Sequence, residues 1–252
     1  NFMEQNMTAL VSLFARAYHQ KNKDIKIFDD LLSTKLITEK EYEMFGLNMS
    51  QGISFFNPTF KGSEEEALKW IVDHQLSPSV LVRSAFCKEA IEDKRQRCKD
   101  VDIENIQFLS IDLSQENWIN TLLQGDYQED QLSISSMLGL SYYLTKDEFK
   151  KMLKQLSKYL LKGSRLVFDY PSIQESKETK INEMLAKEAD ESMKAKYSFA
   201  ELKEILNQCH LTIIQHENHQ TVTEKYISNY NAYYKDDPIK APEGVCYCVV
   251  EK

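Results

Sequence analysis

The spacing of apolar positions changes partway along the chain. From Thr8 to Tyr18, Leu10, Val11, Leu13, Phe14 and Ala17 recur every three to four residues, which places them on one face of an α-helix, with Thr8 positioned to cap it. A second helical stretch is predicted from Phe28 to about Phe45, followed by a loop punctuated by Gly52, Pro58 and Gly62. Ser63-Glu64-Glu65-Glu66 has the hydroxyl-plus-acid signature of a helix start, and Pro78 restarts the chain into a further helix through Phe86 and Ile91. The first third is therefore expected to be nearly all helix.

Beyond Arg97, short apolar runs alternate with helical stretches. Ile106 to Ile111, ending at Asp112, has the look of a buried strand, and Leu132 to Met137, Ser164 to Tyr170, Leu211 to His216 and Val245 to Val250 are further strand candidates. Between them Trp118 to Leu123, Thr145 to Leu161 and Tyr197 to Gln208 are predicted helices; Thr145 caps the second and Gly163 closes it. A charged helical segment is expected from Lys177 to Lys194. The last two strands are joined by a polar, tyrosine-rich connection without an obvious helix. This order predicts an α/β fold, an open and mostly parallel sheet with a C-terminal antiparallel hairpin and an N-terminal helical cap. The cap is assigned to residues 1–91 and the core to 92–252, together effectively one compact domain.

Composition narrows the partners. A formal charge of −8 repels a polyanionic backbone, so nucleic acid is not expected. No run of apolar residues is long enough for a membrane span. Five scattered cysteines, an odd number, suit reduced thiols. Asn1-Phe2 has the look of an expression-tag remnant, and Met3 to Met7 lacks a secretory pattern, so a cytoplasmic location is expected. Cys209 with His210, His216 and His219, and Cys246 with Cys248, do not match metal-ligand spacings; they are taken as core residues and no metal is expected.

Several segments stand in an order that resembles one family: MTALVSLFARAYH (Met7 to His19), LSPSVLVRSAF (Leu76 to Phe86), FLSIDL (Phe108 to Leu113), SMLGLSYYLT (Ser136 to Thr145), GSRLVFDYP (Gly163 to Pro171) and MKAKYSFAELKEIL (Met193 to Leu206). Together they resemble the leucine carboxyl methyltransferases and their bacterial O-methyltransferase relatives. That resemblance implies a Rossmann-like class I methyltransferase sheet, S-adenosylmethionine as cofactor, and a small-molecule or carboxylate methyl acceptor. It also implies roles. Arg83, and less directly Arg16, would meet the methionyl carboxylate, for which a guanidinium fork is suited. Asp112 and Leu113 would meet the adenine, and Met137, Leu138 and Gly139 would pass beneath the methyl-bearing sulfonium. Tyr142, Tyr143, Asp169 and Tyr170 would stand on the acceptor side. The residues also support plainer readings: surface arginines, Asp112 as the cap of a turn before Trp118, core tyrosines, and structural hydrogen bonding at Asp169. A relative that kept the fold but serves as a non-catalytic interaction module is the alternative function.

One part of the pattern is missing. Class I sheets begin with a strand, a Gly-x-Gly turn, a helix and a second strand, but the seven glycines, at 46, 52, 62, 125, 139, 163 and 244, include no Gly-x-Gly. The unit should fall between 91 and 92, where there is no room for its roughly 30 residues. Excising central strands from a parallel sheet would expose its apolar middle. The expectation is therefore that the sequence joins two segments across a stretch left out, with a true deletion as the alternative.

Overall fold

The computed structural model describes residues 7–97, 109, 111–115, 117–173, 184 and 193–252. They gather into two compact units: the chain up to Phe86 with His219–Glu243, and the stretch from Cys87 with Met193–Asn218 and Gly244–Lys252.

In the first unit, α1 (Met7–Asn22) buries Phe14, Ala15, Ala17, Tyr18 and His19. It starts one residue before Thr8, which therefore lies inside the first turn and does not cap it. The single helix expected from Phe28 to Phe45 is two, α2 (Leu31–Leu36) and α3 (Glu39–Gln51). Thr38 makes the break: its backbone is extended, its hydroxyl accepts from the Glu41 N–H, and the Glu41 carboxylate accepts from the Thr38 N–H. This reciprocal pair starts a helix as effectively as it ends the preceding one. A short α4 (Ile53–Phe56) occupies part of the expected loop, and α5 (Glu64–Ile71) begins at Ser63, capped reciprocally with Glu66 as predicted.

Pro78 does not restart the chain. Helix α5 passes through a π-helical turn, Val72–Leu76, directly into α6 (Ser77–Arg97). Proline lacks an N–H and crowds the carbonyl four residues back, and a widened turn before it, in which the Ser77 N–H reaches the Val72 carbonyl, accommodates this locally. Ile91 and Glu92 are consecutive residues of α6. Both alternatives for the missing unit, a stretch left out and a true deletion, join these two residues directly, so the helix is common to them.

The second unit holds a four-stranded sheet of β1 (Ile134–Met137), β2 (Arg165–Pro171), β3 (Thr212–Glu217) and β4 (Val245–Glu251), ordered β1-β2-β4-β3. β1 is parallel to β2, and β4 is antiparallel to both β2 and β3, so three strands share a direction. Central β2 and β4 are buried almost throughout, whereas outer β1 and β3 are partly exposed. Helices α7 (Trp118–Gln124), α8 (Lys146–Tyr159) and α9 (Phe199–Gln208) accompany the sheet, with Phe149, Leu153, Phe168, Tyr197, Leu202 and Leu206 in its core. Thr145 and Ser198 cap α8 and α9 through reciprocal bonds with Glu148 and Glu201.

Two expectations fall largely outside the described residues: the strand Ile106 to Ile111, of which Leu109 and Ile111 are described and are not in a strand, and the segment Lys177 to Lys194. The last two strands pair as expected, but their connection is helical. It comprises α10 (His219–Val222), a π turn over Thr223–Ile227, and α11 (Ser228–Tyr233), all in the first unit. No helix among the described residues is long and apolar enough to cross a membrane.

Candidate functional site

In an open α/β sheet, ligands gather beyond the carboxyl ends of the parallel strands. Here β1 ends at Met137 and the chain turns. Gly139 has φ of +70°, a left-handed conformation that glycine adopts without a Cβ clash. Ser141–Tyr143 then forms one 3-10 turn before the Thr145 cap of α8.

This turn is fastened from β2. Met137 pairs with Phe168, so Asp169, one residue further along, faces the turn from the neighbouring strand. Asp169 is fully buried. Its Oδ1 accepts from the Gly139 N–H at 2.6 Å and its Oδ2 from the Tyr142 hydroxyl at 3.1 Å, while its carbonyl accepts from the Ser141 hydroxyl at 2.7 Å. Such donors are what make a buried carboxylate tolerable. The Lys194 N–H adds a bond to the Tyr142 carbonyl at 2.7 Å.

Asp112 is exposed and shapes its own turn. Its Oδ1 accepts from the Ser114 hydroxyl at 2.7 Å and the Ser114 N–H at 3.0 Å, and its Oδ2 accepts from Gln115 at 3.2 Å. The bonds from the Ser114 hydroxyl and N–H, then Gln115, hold this carboxyl below its usual range, and the Lys194 ammonium contributes in the same direction. Lys194 bears on both features: its charge acts on Asp112 and its backbone N–H holds Tyr142. The carboxylate is anionic at neutral pH and keeps capacity to accept from a ligand amine. Leu113, half-buried, packs against the core.

The remaining candidates divide. Met137 is a core residue and Leu138 is half-buried at the strand end. Tyr142 is buried with its hydroxyl on Asp169, and Tyr143 is half-buried in the same turn. Asp169 and Tyr170 are adjacent on a strand, so their side chains leave on opposite faces. Tyr170 enters the core against Phe168 and Tyr197 and shares a 2.7 Å hydrogen bond with His216 Nε2. Burial, then the neighbouring Cys246, pushes its phenol well above its ordinary value.

In the first unit, Arg83 is half-buried on α6 and donates to the Ser79 hydroxyl at 3.4 Å. Arg16 donates to Asp30 at 2.5 Å, and Asp30 in turn caps α2 at the Ser33 N–H. The structure thus brings together Gly139, Tyr142, Tyr143 and Asp169, leaves Asp112 in a turn of its own, and turns Tyr170 away from the first four. Two contributors escaped the sequence. Ser141 lies within SMLGLSYYLT, where nothing marks its hydroxyl as reaching another strand, and Lys194 acts through a backbone N–H that no side-chain pattern reveals.

The leucine carboxyl methyltransferase family model matches residues 9–101 and 91–157. The Bacillus subtilis protein YktD, assigned as an S-adenosyl-L-methionine-dependent methyltransferase, is 25% identical over 300 aligned positions covering 97% of this chain and 97% of its own. Against 252 residues here, an alignment of that length leaves several tens of positions without a counterpart in this chain. The two matched segments meet at 91–101, where the strand–glycine–helix–strand unit was expected. Among solved structures, a DUF574 family protein of Streptomyces avermitilis is 10% identical, with 96% of this chain and 97% of that one covered and a TM-score of 0.47. The magnesium protoporphyrin IX methyltransferase of Synechocystis, with bound S-adenosylhomocysteine, is 10% identical, with 98% and 95% covered and a TM-score of 0.36.

Proposed function

We propose, on the premise that this chain belongs to the leucine carboxyl methyltransferase family and is an S-adenosylmethionine-dependent methyltransferase, that it methylates an oxygen of a small-molecule or carboxylate acceptor. The observation that carries this reading is the Gly139–Tyr143 turn at the carboxyl end of β1, fastened by the buried Asp169 of β2.

The donor set fits the cofactor in part. Asp112 can accept from an exocyclic amine, the Leu113 backbone lies beside it, and the left-handed Gly139 with Met137 and Leu138 offers backbone that a ligand can approach closely. The family resemblance would give the methionyl carboxylate to Arg83, whose guanidinium fork suits that chemistry. Arg16 is a weaker candidate, since Asp30 already holds it. The sequence has no Gly-x-Gly turn to complete the set. The helices up to Ile91 are read as a cap to the core that follows.

The sulfonium supplies an already activated methyl group when bound. The protein's own part is alignment and exclusion of water. In this reading Tyr143 borders the acceptor, Tyr142 stands in the same turn, and Tyr170 faces away into the core. Neither a metal nor a covalent nucleophile is called on.

Calorimetric titration with S-adenosylhomocysteine tests the cofactor half, and Asp112→Ala is expected to weaken binding by about tenfold, the loss of one good hydrogen bond. Methyl transfer from labelled cofactor to matched hydroxyl, carboxylate and amine acceptors tests the other half; labelling of amines alone would overturn oxygen transfer. The lack of a Gly-x-Gly turn in this sequence favours one second reading, a non-catalytic interaction module. Absence of both binding heat and thermal stabilisation by S-adenosylhomocysteine would decide for it.

A further inference from the structure

We infer that Asp169 is a positioning residue: it locks the Gly139–Tyr142 turn into its ligand-receiving shape and does not itself touch the methyl acceptor. This goes beyond the reading above and rests on it only for the functional consequences. Three anchors converge on this one residue, at 139, 141 and 142, and they use both carboxylate oxygens and the carbonyl.

Each anchor constrains a different freedom. The bond to the Gly139 N–H orients the peptide that enters the left-handed residue, the most flexible point of the turn. The Tyr142 hydroxyl ties down a side chain, and the Ser141 hydroxyl fixes the start of the 3-10 turn against the β2 backbone. The register between β1 and β2 places all three within reach, and the full burial of Asp169 and Ser141 keeps water from substituting for them. A charge-assisted bond of this kind is among the stronger ones available to a protein.

The inference separates from an acid–base role by the behaviour of asparagine. In Asp169→Asn the side-chain oxygen can still accept from the Gly139 N–H, and the Tyr142 hydroxyl can rotate to accept from the amide. A positioning residue is rescued by that change; a proton-transfer group is not.

The test compares Asp169→Asn, Asp169→Ala, Tyr142→Phe and Ser141→Ala by amide hydrogen exchange without cofactor, calorimetry with S-adenosylhomocysteine, and the split between KM for S-adenosylmethionine and kcat. Asp169→Ala should speed exchange at 139–142 by at least about tenfold without affecting α8, and weaken S-adenosylhomocysteine binding on the order of ten- to a hundredfold. Asp169→Asn should stay within about threefold of the parent in affinity, and Tyr142→Phe and Ser141→Ala should each fall between the two variants of Asp169. The inference is overturned if Asp169→Asn is as inactive as Asp169→Ala while both bind S-adenosylhomocysteine normally, or if Asp169→Ala leaves exchange in the turn unchanged. Should Asp169→Ala not fold, the double variant Ser141→Ala/Tyr142→Phe carries the same comparison. If the parent itself binds no S-adenosylhomocysteine, the functional reading fails, and exchange in the turn still judges the clamp.

Discussion

Asp73 and Asp169 are both sealed from solvent, at 1% and 0% exposure, yet they are held by different chemistry. Asp73, in the π turn between α5 and α6, meets the Lys23 ammonium at 2.5 Å and the Lys69 ammonium at 3.0 Å; Lys69 also reaches Asp237, which meets His74 at 2.8 Å. Among the described contacts, Asp169 accepts from a backbone N–H and a phenol. The first arrangement links the end of α1, the α5–α6 junction and the segment after α11, far apart in sequence, through charges that tolerate some looseness in geometry. The second fixes the local shape of one turn through directional bonds. A network that joins segments and a clamp that shapes a site thus use the same residue type for separate ends.

The largest expected effect breaks the first of these. Lys23→Met removes the most buried cation of the network and leaves Asp73 with a half-exposed Lys69; a loss of about 3–5 kcal/mol in unfolding free energy is expected from denaturant melts. A loss below about 1 kcal/mol would erase the contrast between the two sites.

Next in size is a pH effect beside the same network. Burial, then Lys23 and Lys26, lowers the His19 pKa to about 3, so the imidazole is neutral in the folded protein and its Nε2 accepts from the Ile27 N–H. The unfolded chain takes up that proton near its ordinary value of 6.5. The resulting stability is therefore fully present above pH 6.5 and is lost as pH falls toward 3, by at most about 1.4 kcal/mol per pH unit. Melts from pH 7 to 4 should show this slope, and His19→Gln should flatten it; an unchanged slope would count against a neutral His19.

The smallest effect belongs to the clamp. Tyr142→Phe deletes one donor to Asp169 and should cost about 1–2 kcal/mol by the same melts, with little dependence on salt. A cost as large as that of Lys23→Met would mean that the clamp also carries global stability, and would blur the division between the two carboxylates.

Where local chemistry decides structure, the sequence was legible. Ser63 with Glu66 and Thr145 with Glu148 announced helix starts that the structure contains, and the four strands lie within a residue or two of their predicted bounds. The same motif at Thr38 and Glu41 went unread because it sits inside an otherwise helical stretch. The helical connection after β3 was hidden for a different reason. Its buried residues, Val222, Ile227 and Tyr230, follow a spacing distorted by a π turn, so the 3.6-residue period that betrays an amphipathic helix is absent. Arg16 looked available on its helix, and only the fold supplies Asp30 as its partner.

By itself, the sequence determined the order of helices and strands, the family resemblance and the absence of a Gly-x-Gly turn, because propensity, capping and motif are properties of neighbouring residues. Tertiary structure alone decided that Asp169 would hold Gly139, Ser141 and Tyr142 while Tyr170 faces the core. Those bonds act over about 3 Å between residues some thirty positions apart, and only the pairing of β1 with β2 brings them within that range.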